Sequence, residues 1–447
     1  MTHSSLRTAV VAVLAALLAT ASAGAQAANL TTTPAGRVLK AWLDAINSGD
    51  TVRMSTYVRQ YEPAASVAEL AARHQRIGNI ELLTVERSEP RHIEFTIHSA
   101  AQSIDGFAYL DVTAAEPPQV GLFPLIVPFP QGGTLASLSV DAAARAQAID
   151  GASAQLDTFY VFPEVARRLA DSLHARLKRG MYDRYTNGVM FAKALNDEVR
   201  EISHDKHMGV QYSVNPIPVR PPGPPPAPTA EQLKRMQSQM DGVNCGFQKV
   251  ERLDGNVGYL KFDFFADPEM CGPTASAAMN FVAGARALIV DMRENGGGSP
   301  AMVTYVASYL FDDSTHLNDL WDRKSGNTTQ FWTKPGVSGR KFGADKPVFV
   351  LTSSRTFSGA EEYTYDLKTQ KRATIVGETT GGGAHPVAGR RINEHFIIAV
   401  PGARAINPIT HTNWEGVGVE PDVKVPAKDA LATALRLVNE KVGAARP

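Results

Sequence analysis

Two glycine-flanked stretches carry the residue types that acyl-transfer chemistry needs. The first, Asp291-Met292-Arg293-Glu294-Asn295-Gly296-Gly297-Gly298-Ser299, follows the apolar run Ala287-Leu288-Ile289-Val290. Its glycines let backbone N–H groups point into a shared space at the start of a helix, whose dipole favours an anion. Such a turn serves as an oxyanion hole, as a phosphate cradle or simply as a tight turn. The Gly-Lys-Ser/Thr ending of a nucleotide-binding loop is missing, which disfavours the cradle. The second stretch is Leu351-Thr352-Ser353-Ser354-Arg355-Thr356-Phe357-Ser358-Gly359-Ala360-Glu361-Glu362. It puts Ser358 where a buried strand gives way to a helix. There the hydroxyl stands exposed at the sheet edge, with the Gly359 N–H beside it for an oxyanion. Taken alone, the pattern better describes a helix cap, with Glu361 completing a capping box.

These turns need a scaffold, and the hydrophobic pattern supplies one. Gly258 to Phe265 reads as a strand with Leu260, Phe262 and Phe264 on one face. Ala287–Asp291 and Val348–Thr352 read as buried strands, and Pro300–Phe311 and Gly359–Lys368 as helices. Ala373–Val376 and Phe396–Val400 are expected to continue the sheet. This β/α order predicts a mainly parallel sheet covered by helices, with functional groups at strand carboxyl ends.

Upstream, residues 30–135 read as a separate α+β domain, in pattern like the cone-shaped ketosteroid-isomerase-like fold. Val38, Trp42, Ala45 and Ile46 mark its helix, stopped by Asn47-Ser48-Gly49-Asp50, and several strand runs follow. No paired acid and base stand out there, so an accessory or binding role is expected. Residues 140–215 form a helical subdomain in which Val161, Val165, Leu169 and Leu173 share one face. Residues 216–229 are a stiff, proline-dense linker, and 230–440 form the β/α core.

The chain has 447 residues with 45 basic and 45 acidic side chains, a balance that argues against a nucleic-acid binder. Residues 1–27 read as a secretory signal. Arg7 precedes the apolar stretch Ala9–Leu18, and small-residue cleavage sites follow at Ala21-Ser22-Ala23 and Ala25-Gln26-Ala27. The stretch is too short and Ala-rich for a spanning anchor. A periplasmic or extracellular protein with no integral membrane segment after signal removal is expected. In an oxidising compartment Cys245 and Cys271, the chain's two cysteines, are candidates for a disulfide. They lack the paired spacing of a zinc site, and no metal or organic cofactor is suggested.

In order, the two turns, then Val376-Gly377-Glu378-Thr379-Thr380-Gly381-Gly382-Gly383, then Gly416-Val417-Gly418-Val419-Glu420-Pro421-Asp422, resemble the carboxyl-terminal-processing (tail-specific) serine peptidases. The branch most similar in pattern holds the tricorn core protease and the repeats of interphotoreceptor retinoid-binding protein. The resemblance implies an α/β, crotonase-like (ClpP-like) core with Ser358 as nucleophile. It also implies an oxyanion hole of the Gly297 and Gly359 N–H groups.

The chain departs from that pattern at the base. Gly383 stands where many of these peptidases have the lysine of a Ser/Lys dyad, and Lys368 and Lys371 lie on the wrong side of the strand. The tricorn-like branch implies a histidine and a late glutamate instead. Asp205-Lys206-His207 matches the histidine motif and Trp414-Glu415-Gly416-Val417-Gly418-Val419 the glutamate motif. The expected set is Ser358 attacking, His207 taking its proton and Glu415 orienting the imidazolium, with a bridging side chain allowed. His385 and His204 remain alternative bases, and Glu420 an alternative acid. Between Val214 and Gly258 there is room only for the linker and one short helix, so no PDZ domain is expected.

The reading is a serine peptidase acting on a peptide or protein substrate. Its rivals are a carrier of an apolar ligand, like the retinoid-binding relatives, and a hydrolase of small esters or amides. The oligomeric state is left open.

Overall fold

The computed structural model describes residues 30–63, 65–122, 126–219 and 227–443, so the signal segment and part of the linker lie outside the described residues. Two units emerge, one formed mainly by residues up to Val140 and the other by most of the rest.

In the first unit, Thr33 caps α1 (Pro34–Ser48) by accepting the Gly36 N–H, and Gly49 ends the helix at φ 62°. Helices α2 (Thr51–Tyr61) and α3 (Val67–Ile77) follow, then antiparallel strands β1 (Ile80–Ser88), β2 (His92–Ser99) and β3 (Ile104–Val112). Two short strands, β4 (Val120–Leu122) and β5 (Val127–Pro128), pair with β3. Val38, Leu39, Trp42 and Ile46 of α1 share one core with Ile93, Phe95 and Ile97 of β2, because alternate strand side chains face the helix.

The second unit begins with α4 (Ala142–Phe159), α5 (Pro163–Lys178) and α6 (Gly188–Ser203). Val161 lies between α4 and α5, so the helical stripe expected to include it is broken there. The cause is Pro163, which disfavours helical backbone at Phe162 (φ −114°, ψ 96°) and starts a new helix as its first residue. Strand β6 (Gly209–Tyr212) and helix α7 (Ala230–Gly242) come next.

The main sheet contains β7 (Phe247–Leu253), β8 (Val257–Phe262), β9 (Ala287–Asp291), β12 (Val348–Thr352), β13 (Thr374–Gly377) and β17 (Val423–Lys424). Their spatial order is β17-β13-β12-β9-β8-β7, all parallel except β7. Both faces are covered. Leu288, Val290, Val348 and Val350 pack with α8 (Pro268–Val282), α9 (Pro300–Ala307) and α10 (Gly359–Thr369). Ile289, Phe349 and Leu351 pack against Ala430, Ala434 and Val438 of α11 (Ala430–Gly443). Burial on both faces is why these runs read as continuously apolar.

Outside this sheet, β10 (His316–Asp322), β11 (Thr328–Trp332) and β16 (Ala403–Ile406) form one ribbon. Strands β14 (Val387–Arg391), β15 (Phe396–Pro401) and β6 form another. Phe396–Val400 therefore does not continue the main sheet as expected. In β15 Phe396, Ile398 and Val400 are buried while Ile397 and Ala399 are only half-buried. That is the alternation of a one-sided antiparallel strand, and Ile398 pairs with Val210 of β6. Cys245 and Cys271 form a disulfide joining the segment before β7 to α8. No helix of the described residues is long and apolar enough to cross a membrane.

Candidate active site

Parallel pairing of β9 with β12 aligns Asp291 with Leu351, so both strands end side by side and release their turns into one space. Hydrogen bonds stitch the turns together. Met292 N–H donates to the Leu351 carbonyl at 2.9 Å, and Phe357 N–H to the Asn295 carbonyl at 3.1 Å. The Thr356 hydroxyl donates to the Met292 carbonyl at 2.8 Å. Asn295, fully buried, anchors its turn by donating to the Phe262 carbonyl at 2.8 Å.

Gly297 is expected as an oxyanion donor. Its N–H already donates to Asn295 Oδ1 at 2.8 Å within the turn. The neighbouring N–H groups of Gly298 and Gly359 donate to no acceptor among the described residues. They lie close together, since a Cβ on Gly359 would stand 2.9 Å from the Gly298 nitrogen. Gly298 has φ +138°, and a Cβ there would meet the Phe265 carbonyl oxygen at 2.2 Å. Only glycine holds that backbone.

Ser358 sits at the start of α10 with φ 54° and ψ −122°, a region non-glycine residues seldom occupy. Glu361 holds it there. One carboxylate oxygen accepts N–H groups of Ser358 at 2.9 Å and Gly383 at 2.8 Å. The other accepts the Gly382 N–H at 2.6 Å and the Thr380 hydroxyl at 2.5 Å. Burial raises the Glu361 carboxyl above its ordinary range, and these four donors oppose the rise. The capping-box reading noticed Glu361 but not that its carboxylate also ties down the Gly382-Gly383 turn.

The Ser358 hydroxyl meets His207, whose Nε2 lies 3.0 Å from Oγ. His207 is delivered by the turn between α6 and β6, where its N–H donates to Asp205 Oδ1 at 3.0 Å. Its ring lies against Phe357, with centroids 4.7 Å apart. Burial lowers its basicity from the ordinary value, Asp205 opposes that fall, and His385 reinforces it. Its Nδ1 is buried without a hydrogen-bond partner and faces Asp205 Oδ1 at 4.0 Å.

Glu415 does not reach His207. Its Oε2 lies 3.3 Å from His385 Nδ1, and the same nitrogen lies 3.3 Å from Asp205 Oδ2. Glu415 Oε2 also accepts the Ala384 N–H at 2.6 Å, and burial raises its carboxyl above the ordinary range. The Tyr160 hydroxyl donates to Asp205 Oδ2 at 3.4 Å. Asp205 was legible only as part of the histidine motif; nothing in its spacing shows that it faces both rings.

The alternative bases are also placed. His385 is buried and faces carboxylates, away from the hydroxyl. His204 is exposed at the left-handed end of α6 (φ 57°), where its side chain makes no contact with Ser358. Glu420 is exposed on the surface. Asp205, His385 and Glu415 offer donor atoms within 4.8 Å of one another, a spacing a cation could use, but those atoms already engage each other.

Gly382 and Gly383, tied to α10 through Glu361, border the site beside His207 and Phe357. Trp414 Nε1 donates to the Gly383 carbonyl at 2.8 Å, and Lys206 Nζ to the Gly381 carbonyl at 2.5 Å.

Residues 256–425 match the model of peptidase family S41. Residues 141–248 match the model described as the N-terminal domain of Peptidase_S41 in eukaryotic IRBP. The chain belongs to peptidase family S41. This S41 chain is 27% identical over 180 residues to carboxyl-terminal-processing peptidase 2, chloroplastic, of Arabidopsis thaliana, covering 38% of this chain and 32% of the relative. Thus it spans well under half the length of the curated relatives it matches. The photosystem II D1 C-terminal processing protease superposes with TM-score 0.40 at 16% identity, covering 64% of this chain and 93% of that one. The tricorn protease does so with TM-score 0.42 at 10% identity, covering 81% and 46%.

Proposed function

We propose that this S41 chain is an exported serine peptidase that cleaves peptide bonds through an acyl-enzyme on Ser358, with His207 as base. The observation that carries the reading is the 3.0 Å contact between His207 Nε2 and Ser358 Oγ. It is made at a serine held in an uncommon backbone conformation beside two unengaged N–H groups.

His207 Nε2 takes the hydroxyl proton as Oγ bonds to the substrate carbonyl carbon, whose oxygen becomes the oxyanion. The N–H groups of Gly298 and Gly359 receive that charge. His207 returns the proton to the leaving amine as the C–N bond breaks, leaving an ester on Ser358. A water, deprotonated by the same imidazole, then hydrolyses the ester and frees a new carboxyl terminus. Asp205 faces the far side of the ring, and its charge stabilises the imidazolium formed between steps.

The crotonase-like core, the ketosteroid-isomerase-like first unit and the absence of a PDZ insertion belong to this reading. Support for the last is that α7 is the one α-helix between β6 and β7 among the described residues. Export rests on the signal-like residues 1–27 and agrees with the disulfide. A carrier of apolar ligands has no use for a base at hydrogen-bonding distance from a serine.

The test is turnover of a mixed peptide library beside small esters, with products identified by mass spectrometry. The reading expects new peptide termini from the wild type and none from Ser358→Ala. Ester hydrolysis with intact peptides would make the chain a small-ester hydrolase, and equal turnover by the variant would remove Ser358 from the mechanism.

A further inference from the structure

A second imidazole lies behind the catalytic one. His385 Nδ1 is equidistant, at 3.3 Å, from Asp205 Oδ2 and Glu415 Oε2. Asp205 and His385 are each only 2% exposed, and Glu415 is half-buried. Two carboxylates brought together away from water repel each other and pay for desolvation unless a cationic or donor group stands between them. His385 occupies that place.

The surroundings fix its ring. The edge of Phe162 meets it at a centroid distance of 5.2 Å. The Glu415 carboxylate, which accepts from the Ala384 N–H, is anchored to the residue just before it. Asp205 is in turn the group whose Oδ1 faces His207 Nδ1 and accepts the His207 N–H.

We propose that His385 is a positioning residue: by bridging Asp205 and Glu415 it holds the Asp205 carboxylate in the orientation that faces His207. The active set is then a five-residue line, Ser358, His207, Asp205, His385 and Glu415, in which the last two act only through Asp205. This rests on the proposed role of Ser358 and His207. It also assigns Glu415 its work: the late glutamate reaches the catalytic ring through two intervening side chains.

The groups facing His207 are Ser358 and Phe357 from the nucleophile turn, Gly383 from the glycine turn, and Asp205 from its own segment. His385 acts on it from behind Asp205 and opposes protonation of His207. Lys206 is turned away, onto the Gly381 carbonyl. Removing His385 therefore changes the field at His207 and loosens Asp205, the carboxylate that favours the His207 proton.

The test uses the rate at which a fluorophosphonate labels Ser358, which needs no knowledge of the substrate. His385→Gln, His385→Ala and Glu415→Gln are compared with wild type, with folding checked by circular dichroism and thermal melting. The expected result for both His385 variants is a maximal labelling rate lower by on the order of 10- to 100-fold, with probe affinity within about twofold. The acidic limb of the pH–rate profile should shift, and added imidazole should partly restore labelling of His385→Ala. Folded His385 variants that label at the wild-type rate with an unmoved acidic limb would overturn the proposal. So would losses that track unfolding in all three variants without imidazole rescue, since the trio would then be purely structural. A wild-type protein that takes no label on Ser358 would instead defeat the underlying reading.

Discussion

His207 and Gly383 compete for one volume. A Cβ on Gly383 would stand 2.6 Å from His207 Cε1 and 2.3 Å from Phe357 Cζ, closer than real Cβ atoms approach. A side chain at the position where a Ser/Lys dyad would carry its lysine would thus run into the His207 ring. The missing lysine, a departure when read from the sequence, is a steric requirement of the proposed His207 base.

Gly383→Ala should accordingly displace His207 or Phe357. A labelling rate on Ser358 lower by at least about 100-fold, in a protein that still folds, is the expected outcome. Wild-type labelling would show that the ring has room to spare.

His207 and His204 should separate by substitution. His207→Ala is expected to lose roughly 10⁴-fold or more in turnover, because the proton acceptor itself is gone. His204→Ala should match wild type within about twofold, since that residue is exposed and makes no contact with Ser358. Peptide turnover by the two variants checks both, and equal mild losses would refute the assignment of His207.

Activity should depend on pH through His207. Burial of the ring moves its pKa below the ordinary 6.5, partly countered by Asp205, and the neutral ring is the working base. The rate should therefore rise with pH along a limb centred below 6.5 and stay high above it. A labelling profile from about pH 4.5 to 8 checks this. A midpoint above the ordinary value would contradict the burial argument, and a flat profile would exclude any histidine base.

Glu361 should be a stability residue as much as a site residue. Its carboxylate accepts from Ser358, Gly382, Gly383 and Thr380, so Glu361→Ala strands four donors, three of them buried. A cost of roughly 3–5 kcal/mol is expected, together with loss of labelling. Urea unfolding of the variant measures it, and a loss under about 1 kcal/mol would mean the donors find other partners.

The disulfide should matter to the core rather than to the chemistry. Cys245 and Cys271 are 26 residues apart in sequence, and replacing both by Ala should cost roughly 3 kcal/mol while leaving the Ser358 labelling rate intact. A lowered melting temperature with unchanged labelling is the expected pair of results; a lost label would tie the bond to the site.

Much of this was legible beforehand because local patterns encode it. Runs such as Ala287–Asp291 and Val348–Thr352 announce buried parallel strands, and the glycine-flanked turns at their ends mark where the chemistry sits. The misses have physical causes. Phe396–Val400 is as apolar as a core strand, and only its one-sided burial, a tertiary fact, places it in the β14-β15-β6 ribbon. Val161 fits a helical stripe that Pro163 interrupts. Gly297 and Gly298 look alike in sequence, but the Asn295 side chain takes the N–H of Gly297 and leaves that of Gly298. Asp205 and His385 lie 180 residues apart in the chain, so their contact is visible only once the fold brings them together.

The central claim is that Ser358 is an activated nucleophile. Purified mature protein should be incubated with a fluorophosphonate beside Ser358→Ala, digested, and the adduct located by mass spectrometry. The account predicts one adduct, on Ser358, absent from the variant. A folded wild-type protein that carries no adduct, or carries it on another residue, would contradict it.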